Sequence, residues 1–265
     1  MQFVTEVGAA TERSVAYVGG LAQLFGKSVW LLFASPLKRG RILNRAMHQA
    51  MVAGVGALPI ISLITFFVGV IIALQGAYEL QRLGAMQLVA SLVSISITRE
   101  LGPLVTAIVV IGRSGSAFAA EIGTMRVTEE LDALETMALD PVAFLVVPKF
   151  LAMAVMMPCL AIWADFMGVL GGCTFGVIGA NFTFGSYLTA TRDALLMRDV
   201  TTGVVKSLVF GLVVTAVGCQ EGFSTSAGAE GVGRSTTSAV VVSILLVILI
   251  DLVFTTLFYV ARGVA

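Results

Sequence analysis

Five ionisable residues of this sequence lie inside long apolar stretches, where a charge is energetically costly. They are Arg99, Glu100, Asp165, Lys206 and Asp251. A charged side chain at the centre of a bilayer costs about 2.5–3.5 kcal/mol on insertion scales, so it usually pairs with another residue or faces a polar cavity. Two roles therefore stay open for each residue: an ion pair that joins helices, or part of a polar transport path.

The partners of these charges are not evident from the sequence. Neighbouring residues on a helix point about 100° apart, so Arg99 and Glu100 do not face each other and each needs a partner from elsewhere. Lys206 and Asp251 have opposite charges, but the sequence does not fix their relative depth. Their pairing stays open.

Residues suited to enzyme or metal chemistry are sparse. His48 is the sole histidine, so neither a histidine metal cluster nor a Ser-His-Asp set can form around it. Cys159, Cys173 and Cys219 lie in apolar runs without CxxC spacing, which is typical of small core residues. We therefore expect no catalytic residue and no metal site.

One short motif superficially resembles a nucleotide-binding loop. Residues 25–28 read FGKS, but a P-loop requires another glycine five positions before Gly26, and Leu21 occupies that position. No strand pattern precedes the motif, so its backbone could not form the phosphate cradle. We expect no nucleotide site, and no bound cofactor, on this chain.

The composition is that of a membrane protein. Of 265 residues, 58% are hydrophobic and 12% are charged, against about 25% charged in soluble domains. The formal net charge is zero, which leaves no basic surface for a nucleic acid.

The elements that must position the intramembrane charges are predicted to be helices. About 20 apolar residues suffice to cross a bilayer, and the sequence predicts an all-α membrane protein of one domain, 1–265. The N-terminal segment, 1–45, has helical apolar spacing with scattered charges and predicts an interfacial amphipathic helix. A sixth span at 15–34 is the alternative, which Lys27 disfavours. The predicted transmembrane spans are 51–77, 86–112, 148–180, 200–220 and 236–260.

The distribution of basic residues predicts the orientation. Lys and Arg accumulate on the cytoplasmic side of membrane proteins, and the densest cluster here is 38–45, before the first span. A cytoplasmic N-terminus and an external C-terminus are therefore favoured. This orientation places 113–141 and 221–234 in the cytoplasm.

The segment 113–141 is charged and lies between two apolar runs. From Arg126 to Leu139 its apolar residues recur with helical spacing, and acidic residues fill the rest of the circumference. We interpret 126–139 as an amphipathic helix that docks to a cytoplasmic protein. The sequence leaves open whether its acidic or its apolar face makes that contact.

A glycine stripe marks the third predicted span. Gly168, Gly172 and Gly176 recur every four residues, and such spacing lets two helix backbones approach closely. Packing within the chain and packing between subunits are both consistent with it.

Three blocks of this sequence resemble a known family. They are TRELGPLVTAIVVIGRSGSAFAAEIG (98–123), AAEIGTMRVTEELDALETMALDPVAFLVVPKFLA (119–152) and GFSTSAGAEGVGRSTTSAVVVSI (222–244). Together they cover 78 of the 265 residues, a little under a third of the chain, and are similar to the MlaE family of ABC-transporter permeases.

The resemblance implies an inner-membrane permease subunit of an ATP-driven transporter. Its expected substrate is a glycerophospholipid, moved between inner and outer membranes to maintain outer-membrane lipid asymmetry. Expected partners are a second copy of the chain (a homodimer), a cytoplasmic ABC ATPase that binds ATP and Mg²⁺, a STAS-domain protein and a periplasmic hexamer of MCE-domain subunits.

The resemblance also implies roles for individual residues. A lipid cavity is expected near Tyr78, Arg99, Glu100, Lys206 and Asp251. The region 119–141 is expected to couple to the ATPase through Glu121, Thr124, Met125, Arg126, Val127, Glu129, Glu130, Leu131, Asp132 and Leu134. Two other functions stay as alternatives: an ion-coupled secondary transporter that uses intramembrane carboxylates, and a membrane scaffold without transport activity.

Overall fold

A computed structural model describes residues 2–34, 39–226 and 228–263, and within them all regular structure is helical. Short π-helical and 3₁₀ turns join several of the helices. The α-helices are α1 (Gln2–Ala34), α2 (Arg39–Gln49), α3 (Leu58–Arg82), α4 (Val89–Ser96), α5 (Gly102–Val110), α6 (Ser116–Val127), α7 (Glu130–Thr136), α8 (Val147–Gly179), α9 (Phe184–Ala194), α10 (Met197–Phe223) and α11 (Ala229–Gly263).

Within the described residues, five helical rods are long and apolar enough to cross a membrane, which confirms the predicted number of spans. Helices suit this environment because they satisfy every backbone polar group internally. In chain order the rods are Ile42–Arg82, Met86–Val127, Val142–Gly179, Met197–Phe223 and Ala229–Val260. We refer to them as the first to fifth spans.

The rods extend beyond the predicted spans. The second continues to Val127, well past the predicted end at 112, and the fifth begins at Ala229 within the expected polar link 221–234. The first begins at Ile42, so the last part of the predicted interfacial segment is continuous with it. A hydropathy profile detects only the apolar residues that cross the core of the bilayer. The helix itself can continue into water where its polar residues are good helix formers.

The N-terminal helix α1 is not among the five rods. It packs against α10 and against the turn at 142–146, with Leu24 buried, while Val18 and Trp30 are exposed. Residues 1 and 35–38 of the predicted interfacial segment, including Lys38 of the basic cluster, lie outside the described residues. The interfacial position of α1 stays a prediction.

The third span is the centre of the bundle. Its helix α8 packs on α3 along one side and on α10 along another. A methyl group at Gly69 would lie 1.9 Å from the carbonyl oxygen of Gly168, and one at Gly171 would lie 2.0 Å from that of Phe66. Backbone contact this close requires glycine.

The glycine stripe of the third span serves packing within the chain. Methyl groups at Gly168, Gly172 and Gly176 would come within 3 Å of Ile97, Val93 and Tyr187, respectively. The stripe is therefore covered by neighbouring elements of the same chain.

Candidate functional site

Three spans bring their charged residues together in one cluster. The ammonium of Lys206 on α10 bonds to Oε2 of Glu100 in the second span and lies 2.9 Å from Oδ1 of Asp251 on α11. Lys206 Nζ also donates to Thr255 Oγ1 at 2.8 Å, and the Thr255 hydroxyl lies 3.1 Å from Glu100 Oε1. We call these four residues the charge cluster.

A π-helical turn presents Glu100 to the cluster. Residues Ile97–Leu101 form this turn, which is followed closely by Pro103. Proline lacks the N–H that would continue the hydrogen bonding of an α-helix, and π-turns are frequent at functional sites. A methyl group at Gly203 would lie 2.4 Å from the Thr98 carbonyl oxygen, so this glycine lets α10 approach the turn.

The cation of the charge cluster is buried, whereas its two carboxylates are partly exposed. The side chain of Lys206 is 0% exposed, whereas those of Glu100 and Asp251 are 33% and 17% exposed. A buried ammonium needs ionic partners because desolvation of an isolated charge is strongly unfavourable. The two carboxylates supply them, and both also reach the surface of the single chain.

Arg99 has a separate partner. Its Nε lies 3.7 Å from Oδ1 of Asp199, near the start of α10. Asp199 also caps that helix, since the N–H of Leu196 donates to Oδ2 at 3.3 Å. Arg99 and Glu100 therefore contact different residues, as their adjacent positions on a helix predict.

The fifth predicted intramembrane charge, Asp165, lies outside the charge cluster. Its Oδ1 is buried against Gly102, where a methyl group would lie 1.8 Å away. This atom has no hydrogen-bond partner among the described residues. Asp165, like Arg99, therefore lies outside the charge cluster, which the sequence could not predict.

Tyr78 lies near the end of α3 and is exposed. Its hydroxyl accepts a hydrogen bond from Arg82, whose guanidinium carbon lies 4.3 Å from the ring centroid. Within the described residues, its polar contact is this neighbour one helical turn away.

The predicted helix 126–139 is wrong as a continuous element. Helix α6 ends at Val127 and α7 begins at Glu130, with Glu129 between them in the left-handed conformation (φ 59°). Ala138 also has the left-handed conformation (φ 56°). The apolar spacing suggested one helix, but the Thr128 hydroxyl bonds to the Thr124 carbonyl oxygen at 3.0 Å and the chain turns there. Residues 119–127 prolong the second span.

The two faces of α7 have different surroundings. Leu131 and Leu134 are 3% and 8% exposed and pack with residues such as Leu24 and Phe150. The acidic residues of α7 face outward. The apolar face is therefore covered by the protein itself, and the acidic face is the one free to contact a partner.

The remaining residues of the predicted coupling region also divide into apolar residues that pack inside the protein and polar residues that are exposed. Met125 packs against the cluster that contains Leu131, and Val127 is half-buried. Arg126 Nη1 lies 3.1 Å from Asp132 Oδ1, and Glu130 accepts a hydrogen bond from Thr128 at 3.2 Å. The exposed members are Glu121, Thr124, Arg126, Glu129, Glu130 and Asp132.

The sequence profile described as Permease MlaE matches residues 46–257. This match includes nearly all of the five rods, the charge cluster and the predicted coupling region. The chain belongs to the MlaE permease family.

Relatives of this MlaE-family chain come from several lineages. A probable ABC transporter permease protein of Rickettsia typhi is 39% identical over 253 residues, which is 96% of both chains. A probable ABC transporter permease protein of Synechocystis is 40% identical over 85% of this chain and 86% of the relative. The intermembrane phospholipid transport system permease protein MlaE of Haemophilus influenzae is 34% identical, over 88% and 91%.

Several polar partners in this MlaE-family permease escaped the sequence analysis. Thr255 contacts Glu100, and Asp199 contacts Arg99. Neither residue is a charge inside a predicted span, and neither belongs to a recognisable motif. Lys149 is 1% exposed and pairs with Glu121 at 2.9 Å between Nζ and Oε1. The position of Lys149 as the second residue of the predicted span 148–180 was the available clue.

Proposed function

We propose that this MlaE-family chain is the permease subunit of an ATP-driven transporter that moves glycerophospholipids between the inner and outer membranes of a bacterium, and so maintains outer-membrane lipid asymmetry. The Haemophilus relative is named as a permease of an intermembrane phospholipid transport system, which supports the substrate class. The observation that carries the proposal is the partial exposure of Glu100 and Asp251 within apolar spans. Charges in such positions face a cavity or a partner rather than hydrocarbon.

A second copy of the chain supplies the missing wall of the cavity in this proposal. The fifth span is the least buried of the five, since 11% of its most apolar segment is buried within the chain. Large apolar residues such as Leu245, Leu249 and Leu252 are exposed along it. A homodimer that brings two fifth spans together would enclose the carboxylates and leave apolar walls for acyl chains.

The residues around the cavity have distinct proposed roles. Arg99 is the partly exposed cation that would contact the lipid phosphate, because guanidinium groups match phosphate geometry. Lys206 would hold Glu100 and Asp251 in place instead of contacting lipid, since it is fully buried. Tyr78 would contact lipid at the rim of the cavity.

The acidic face of α7 is the proposed contact with a cytoplasmic ABC ATPase, which binds ATP and Mg²⁺. Because α6 is continuous with the second span, movement of the ATPase would act directly on the rod that carries Glu100. The proposed assembly includes a STAS-domain protein and a periplasmic MCE-domain hexamer. It lies in the inner membrane with the N-terminus cytoplasmic and the C-terminus periplasmic.

Co-purification tests the coupling part of the proposal. An ATPase and an MCE-domain protein should accompany the full-length chain, and Glu135→Lys on the acidic face should reduce ATPase association and turnover. Glu230→Lys is the matched control, since Glu230 is an exposed acid outside α7. Normal ATPase association in Glu135→Lys would contradict the proposed contact.

Transport is tested separately from assembly. Arg99→Glu should abolish lipid exchange and outer-membrane barrier function while the complex still assembles. Wild-type lipid exchange in this variant would remove Arg99 from the cavity. If an assembled wild-type complex moves no lipid, the chain is a scaffold and the transport proposal is wrong.

A further inference from the structure

A small cavity with a mixed polar and apolar lining lies between the first three spans, at the end of the bundle that carries α7. It has a volume of about 200 Å³ and is separate from the charge cluster. Its polar lining comes from Arg45, His48 and Gln49 on α2, from Glu121 on α6 and from Lys149 on α8. Phe144, Leu145 and Pro148 form the apolar part of its wall.

The cationic groups of this cavity are not fully satisfied by the protein. Lys149 is 1% exposed, yet its ammonium donates one hydrogen bond, to Glu121, among the described residues. An ammonium has three donors. The Arg45 guanidinium lies 3.5 Å from the ring centroid of Phe144 and forms no ion pair within the described part of the chain. This stacking holds the guanidinium at the cavity while its N–H groups stay available.

The charge balance of the cavity indicates an anion. Arg45 and Lys149 carry two positive charges and Glu121 carries one negative charge. One positive charge therefore stays uncompensated, and a phosphodiester, with a single negative charge, would balance it. Basic pockets between spans are known sites for the head groups of anionic lipids.

The surroundings of the cavity favour a lipid over a soluble phosphate. Met51 and Val52 lie two and three residues beyond Gln49 along the first span and are exposed. Both lie in a rod that is apolar enough to cross a membrane, so acyl chains of a bound lipid would meet them beside the cavity. We propose that this cavity, which we call the Arg45 pocket, binds the head group of an anionic phospholipid. It is a site additional to the transport cavity and does not depend on the proposed function.

Native mass spectrometry of the full-length chain in detergent tests this proposal. Phosphatidylglycerol is titrated into the wild type and into Arg45→Gln, with phosphatidylcholine as the zwitterionic comparison. The exposed Arg45 side chain can be changed without opening the core, and a melting curve of each variant checks that it is folded. Arg234→Gln is the matched control, because Arg234 is an exposed arginine outside the pocket.

The expected result is a loss of about tenfold in affinity for one phosphatidylglycerol in Arg45→Gln, because a charge-assisted hydrogen bond is removed. Phosphatidylcholine binding and the Arg234→Gln control should stay at wild-type values. Unchanged phosphatidylglycerol binding in Arg45→Gln, or equal losses for both lipids, would overturn the proposal. Displacement of the lipid by millimolar inorganic phosphate would also overturn it, since the site would then belong to a soluble anion.

Discussion

The ammonium of Lys206 lies 2.9 Å from Oδ1 of Asp251, so a charge contact joins the fourth span to the fifth. The fifth span otherwise has little of its surface covered by the chain. Lys206 also bonds to Glu100 of the second span. One fully buried side chain of the fourth span is therefore in contact with charges of the second and fifth spans.

Replacement of Lys206 by methionine should destabilise the protein. Glu100 and Asp251 would lose their shared cation, and removal of one partner from a buried ion pair costs about 3–5 kcal/mol. Because both carboxylates are partly exposed, we expect the lower end, about 3 kcal/mol. Thermal unfolding of the purified protein measures the change. Addition of Glu100→Gln and Asp251→Asn to Lys206→Met should restore most of the stability, and a triple variant as unstable as the single one would refute this account.

Gly69→Ala should separate the first and third spans. The new methyl group would meet the carbonyl oxygen of Gly168, and overpacking of this kind costs about 1–3 kcal/mol. Gly233→Ala is the matched control, since nothing lies within 4 Å of its methyl position. That variant should gain up to about 1 kcal/mol from helix propensity. Equal melting temperatures for the two variants would show that the backbone contact is unimportant.

The two faces of α7 should respond differently to substitution. Leu131→Ala removes a buried side chain and should lower stability by at least about 2 kcal/mol, as measured by thermal unfolding. Glu135→Lys lies on the exposed face and should leave the melting temperature unchanged while it weakens ATPase association. A loss of stability in Glu135→Lys would place that side chain in an internal contact.

Alkaline pH should weaken the packing of α1. Burial, and secondarily the nearby Glu221 carboxylate, raise the pKa of Tyr17 above its ordinary value of 10. The unfolded chain therefore loses this proton first, and stability should fall as pH rises above about 10. Melting temperatures measured between about pH 9 and 11 should decline less steeply in Tyr17→Phe than in the wild type. Identical slopes would mean that Tyr17 ionisation does not oppose folding.

Hydropathy was sufficient to predict the five spans because each contains an apolar run long enough to cross the bilayer. It did not predict where the helices end, since polar residues such as Glu121 and Arg126 extend the second rod in helical form. The break at Glu129 was also missed. A left-handed residue other than glycine leaves little trace in a pattern of apolar spacing.

The charged candidates could be found from the sequence, but their arrangement could not. Lys206 and Glu100 are 106 positions apart, and packing of α10 against a π-turn brings them together. Thr255 carries no charge that would distinguish it from other hydroxyl residues in apolar helices. The involvement of these residues in lipid binding stays a prediction.

The backbone contacts of Gly69 with Gly168 and of Gly171 with Phe66 leave no room for a hydrocarbon tail between the first and third spans. A lipid that leaves the bilayer sideways cannot pass through this seam without separating two backbones. In the proposed lipid transport, lateral entry would therefore use another side of the bundle. The sparsely covered fifth span is the side where helices can part with the least loss of packing.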